Sequence, residues 1–130
     1  MSAAHMAVLY SLLVLLGLSL IGPGLVGAFR PRIGLTWLIA EATDAKSHLR
    51  GLNAMMAALG MVALWACWDL ENARGQVLAL GLVMAVLVVT RLYSLLIDGP
   101  PGSHTLIYLG LEALLAAVFL GWPPPVRFVL

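Results

Sequence analysis

Residues 76–102 read QVLALGLVMAVLVVTRLYSLLIDGPPG, and the fold follows from how this stretch is read. Its apolar part, 76–97, carries a single charge, Arg91. A bilayer core of about 30 Å needs roughly 20 apolar residues in helix, so the run is long enough to cross one. It is continuous rather than alternating, and too long for a barrel strand. Asp98-Gly99-Pro100-Pro101-Gly102 then stops the helix, because proline cannot supply the next backbone donors and glycine favours a turn.

Working outward, three more runs qualify: residues 6–29, 50–68 and 105–122. The first contains Gly22-Pro23-Gly24, which either ends the helix near Ile21 or kinks it. It has no preceding Lys or Arg and no clear small-residue cleavage site after it, so it reads as a retained helix rather than a signal peptide. The second helix begins before Arg50, with Thr43 or Asp44 available to cap it. The connections 69–75 and 98–104 are short and force antiparallel neighbours. The longer connection, 30–49, holds Trp37-Leu38-Ile39, which suits the membrane interface. The expected fold is all-α: a membrane-embedded antiparallel four-helix bundle, with residues 1–130 as one domain.

Composition agrees with lipid as the solvent. Of 130 residues, 62% are hydrophobic and 10% charged, with a mean hydropathy of +1.03; a soluble domain needs far more charge to cover its surface. The net charge of +1 offers no polyanion-binding surface, which argues against nucleic acid as a partner. Cys67 is the sole cysteine, so no disulfide framework or zinc quartet can form within one chain. Arg30, Arg32, Lys46 and Arg50 lie on one side, and Arg74 and Arg127 on the other. The positive-inside rule would make the first side cytoplasmic, on a thin margin if Arg50 belongs to an internal site.

Four antiparallel spans place the first and third connections on one side. Arg50 and Asn53 open the second helix there, and Arg91, Ser94 and Asp98 form one stripe of the third at i, i+3 and i+7. Glu112 lies in the first half of the fourth helix, with Tyr108 one turn nearer the same face. At 1.5 Å of rise per residue, Arg91 and Glu112 both fall about 10 Å below their helix ends. A lone charge in hydrocarbon costs at least about 2.5–3.5 kcal/mol, so the two are expected to pair and face the bundle interior. His48, His104, Glu41, Asp44 and Asp98 share that side without any metal-binding spacing, and neither a metal site nor a cofactor is expected.

These residues also carry a resemblance. His48-Leu49-Arg50-Gly51, Arg91-Leu92-Tyr93-Ser94-Leu95-Leu96-Ile97-Asp98-Gly99-Pro100 and Leu111-Glu112-Ala113-Leu114-Leu115 resemble a family of small four-helix bacterial membrane proteins catalogued as a domain of unknown function. The resemblance runs from about Gly22 to the end of the fourth helix and implies a fold without an activity. Arg50, Arg91, Asp98, Gly99 and Glu112 match its recurrent polar positions, whereas Asn53-Ala54 stands where members often have a second small residue. The spacing of Arg50 and Asn53 is also similar to membrane-associated eicosanoid and glutathione enzymes, but the acidic residue expected shortly afterwards is missing.

Two functions compete. In the first, a lipophilic small molecule is bound or transformed by acid–base chemistry of the isomerase or cyclase kind. Glu112, Asp98 and Arg91 would be catalytic, and Arg50, Asn53, Ser94 and Tyr108 would contact the ligand. In the second, the protein is a non-catalytic membrane subunit or homo-oligomer. Gly51, Ala54, Ala57, Ala58 and Gly60 would then let a partner helix approach. A proton-coupled exporter is disfavoured, because residues 6–29 contain no acid. In either case the expected location is a bacterial inner membrane, with membrane lipid as a partner.

Overall fold

The computed structural model describes residues 1–30 and 43–126, with side chains for 1–30 and 47–126. The interfacial Trp37-Leu38-Ile39 segment, Arg32, Glu41 and Arg127 lie outside the described residues, and so do the side chains of Thr43, Asp44 and Lys46, which a cap or a charge count would need. The described residues form four α-helices: α1 (Ala3–Phe29), α2 (Thr43–Trp68), α3 (Arg74–Asp98) and α4 (Ser103–Gly121). A single 3-10 turn, Leu70–Asn72, joins α2 to α3, and there is no strand among the described residues. All four helices are long and apolar enough to cross a membrane, which points to an integral membrane protein.

Of the two outcomes open for Gly22-Pro23-Gly24, an end near Ile21 does not occur: the helix runs through Pro23 to Phe29, in keeping with a span over 6–29. Pro23 removes one backbone donor, a loss that a spanning helix can absorb where a neighbouring helix supports it. That support is visible at Gly24: a methyl there would sit 2.7 Å from the Ala57 amide nitrogen of α2. Glycine at 24 therefore serves close helix packing rather than a turn.

The chain divides into two compact units, residues 10–68 and residues 1–9 with 69–130. In the first, α1 and α2 run antiparallel. Gly17 lies against Gly60 and Leu64, Gly24 against Ala57, and Gly27 against Asn53, so partners descend α2 as α1 ascends. Leu13, Leu16, Ala57 and Ala63 are buried here. In the second unit α3 and α4 are also antiparallel: Gly81 abuts Phe119 and Leu120, while Arg91 meets Glu112. Val77, Leu80, Met84 and Phe119 are buried. The stop after α3 is Gly99, whose φ of 90° lies in the left-handed region that glycine enters without strain.

Candidate functional site

The strongest polar feature joins α3 to α4. Arg91 stands seven residues before the end of α3 at Asp98, and Glu112 nine residues after the start of α4 at Ser103. Helical rise puts them about 10 Å and about 14 Å from those ends. Arg91 Nε donates to Glu112 Oε2 at 2.6 Å, and Nη2 donates to Oε1 at 2.9 Å. This is a two-point, charge-assisted grip that fixes the planes of both groups. The pair is not sealed: the side chains are 33% and 14% exposed, respectively. Among the described residues, these are the hydrogen bonds that Arg91 makes.

One turn further along α3, Ser94 Oγ donates to Asp98 Oδ2 at 2.8 Å, and both residues are exposed. The carboxylate of Asp98 is thus engaged by Ser94. Tyr108, one turn before Glu112 on α4, is also exposed.

Arg50 and Asn53 belong to the other unit and make different contacts. Arg50 Nη1 donates to the carbonyls of Ala28 and Phe29 at 2.8 and 2.9 Å. These are the last carbonyls of α1, which have no partner within their own helix, and a cation there also complements the helix dipole. Asn53 is fully buried. Its Nδ2 donates to Leu49 O at 2.8 Å, one turn back on α2. Its Oδ1 has no hydrogen-bond partner among the described residues and faces Gly27. A Cα–H of Gly27 is the donor within reach, and such contacts recur where helices pack closely. His48 and His104 are exposed, and no group of three His, Cys, Asp or Glu could hold a metal among the described residues.

A second polar cluster has no counterpart in the sequence-based expectations. His5 is buried, with Nε2 2.6 Å from the Trp122 carbonyl oxygen and its ring stacked on the Trp122 indole. The ring centroids are 4.1 Å apart and the planes 3° from parallel. Arg74 Nη1 donates to Pro124 O at 2.6 Å. Together they hold the segment after α4 against the starts of α1 and α3. The signal available was slight: a polar ring in an apolar run, and a tryptophan before three prolines.

A protein from Cereibacter sphaeroides (strain ATCC 17025 / ATH 2.4.3) named glycerol-3-phosphate acyltransferase is 47% identical over 57 residues. That match covers 44% of this chain and only 24% of the acyltransferase. No solved structure matches. The family described as domain of unknown function (DUF4345) matches residues 8–123, nearly the whole four-helix chain, and the protein belongs to that family.

Proposed function

We propose that the protein sits in the inner membrane of a bacterium and binds a lipophilic small molecule at the Arg91–Glu112 pair. The observation that carries this reading is the pair itself: a two-point ion pair between two spanning-length helices, with a third of the Arg91 side chain left uncovered. A purely structural pair is better closed on all sides, because a guanidinium N–H facing hydrocarbon is left without an acceptor. Both Glu112 oxygens accept from Arg91, so the first task of the carboxylate is to hold and neutralise the guanidinium. Tyr108, Ser94 and Asp98 would line the approach from the nearby helix ends.

Lipid as the surrounding solvent has independent support. In each of the four spans, less than a third of the 18-residue apolar stretch that qualifies it is buried. Leu82, Val86 and Val89 on α3, and Ile107, Leu111 and Leu114 on α4, are exposed. Apolar surface on that scale calls for lipid or a partner to cover it. Trp65 and Trp68 are exposed at the end of α2, and Trp122 follows α4, as suits side chains at a membrane–water boundary. Helical spans fit an inner membrane, whereas outer-membrane proteins are typically barrels. A match over 24% of an acyltransferase transfers no activity to this chain.

The test is native mass spectrometry of protein extracted gently from its own membrane. A small-molecule adduct is expected on the wild type, and its loss in the folded Arg91→Leu/Glu112→Leu double variant. An adduct that persists in the double variant, or a bare wild-type protein, would exclude this site.

One observation favours the alternative of a subunit or homo-oligomer. Ala57 and Gly60 are buried and face α1, but Gly51, Ala54 and Ala58 remain exposed along α2 at helical spacing. They would admit a further helix. The same spectrum would then show a second polypeptide.

A further inference from the structure

A guanidinium has two edges that can each grip a pair of acceptors: a side edge, Nε with Nη2, and an end edge, Nη1 with Nη2. Glu112 takes the side edge of Arg91. The end edge keeps one Nη1 hydrogen and the second Nη2 hydrogen, and no acceptor is bonded to them among the described residues. The Arg91 side chain is one-third exposed, and its bonds to Glu112 both lie on the other edge.

Charge decides what fits it. The positive charge of Arg91 is already matched by Glu112, so the pair presents strong donors with no net charge. Six of its eight turn neighbours are apolar and at least half-buried (Leu87, Val88 and Leu95 on α3, Leu109, Leu115 and Ala116 on α4), and the other two, Ser94 and Tyr108, are polar but uncharged. A phosphate or carboxylate placed there would add one or two negative charges with nothing left to balance them, which apolar surroundings penalise heavily. A neutral carbonyl oxygen accepts the same hydrogen bonds and adds no charge.

We infer that the ligand is a neutral, carbonyl-bearing lipophile (an ester, ketone or quinone) whose oxygen accepts from the Nη1/Nη2 edge of Arg91. Glu112 fixes the guanidinium and cancels its charge. This inference rests on the reading of the pair as a lipophile site, and it narrows the chemical class.

Three probes of similar chain length test it on the full chain in an alkyl maltoside, a detergent with no carbonyl: methyl decanoate, decyl phosphate and decane. The wild type should bind methyl decanoate saturably and at least about tenfold tighter than either other probe, a gap of about 1.4 kcal/mol. The infrared stretch of a labelled ester carbonyl should move to lower frequency on binding. Arg91→Lys should abolish that shift, because lysine can still meet Glu112 but has no second planar edge. Glu112→Gln should reverse the preference towards decyl phosphate, because it frees the charge on Arg91. Tighter, Arg91-dependent binding of decyl phosphate by the wild type would overturn the neutral class while leaving the site in place. If no probe binds in an Arg91-dependent way, both the class and the site fall. Even where a variant does not fold, the ranking of the three probes on unaltered protein decides the neutral class.

Discussion

The Asn53 amide occupies the space that a side chain on Gly27 would need, so α1 and α2 are in contact through a glycine on one side and a buried asparagine on the other. The asparagine is anchored by its bond to Leu49 O and has little room to retreat. Gly27→Ala should therefore destabilise the protein by about 1–3 kcal/mol, the usual range for overpacking. Asn53→Ala removes one hydrogen bond and one unpartnered oxygen together, and should cost no more than about 1 kcal/mol. The double variant should recover much of the Gly27→Ala loss. Thermal unfolding in detergent measures all three, and additive losses would contradict the arrangement.

Arg91 and Glu112 should behave as a unit. Removing one partner leaves a charge with no match, and for buried pairs this costs about 3–5 kcal/mol; the partial exposure here puts the expectation at the lower end. Arg91→Leu and Glu112→Leu should each be more damaging than the two together. A double-mutant cycle on unfolding in detergent reads the coupling directly. Independent effects would mean that the pair contributes nothing as a pair.

Arg50 should matter locally rather than globally. It holds the last carbonyls of α1 from an exposed position, an interaction worth about 0.3–1 kcal/mol. Arg50→Ala should speed hydrogen exchange of the backbone amides in the last turn of α1, leaving those near Leu13 and Leu16 unchanged. Faster exchange throughout α1 would show a wider role.

His5 and Trp122 offer a spectroscopic check. In a variant whose other tryptophans are replaced by phenylalanine, His5→Ala should change Trp122 emission through loss of both stacking and the carbonyl contact. His5→Phe should keep the stacking, which contributes about 0.5–1.5 kcal/mol for aromatic pairs, and lose only the hydrogen bond. Its emission should fall between wild type and His5→Ala. Identical emission in all three would mean that the rings do not meet.

Four helices were legible because continuous apolar runs of spanning length have few alternatives, and the stop after Asp98 was legible from its glycines and prolines. Arg91 and Glu112 could be set near one another because a short connection forces α3 and α4 antiparallel, and rise per residue then measures depth. At Pro23 the sequence left two outcomes open, an end near Ile21 or a continued helix, because the packing of Gly24 on α2 that lets α1 run on is not a local property. The contacts of Arg50 and Asn53 turn on which face of α2 meets α1, and the long connection between these helices leaves their register unspecified. His5 and Trp122 lie 117 positions apart, and no periodicity links them.

That last contact has a consequence for the order of assembly. The α1–α2 unit is one unbroken stretch of chain, residues 10–68, and can come together as soon as Trp68 has been made. The other unit is split, with its first nine residues separated by that whole stretch from the remainder. His5 must wait for Trp122 while everything between is synthesised and inserted. During that interval its ring and the start of α1 lack their final partner.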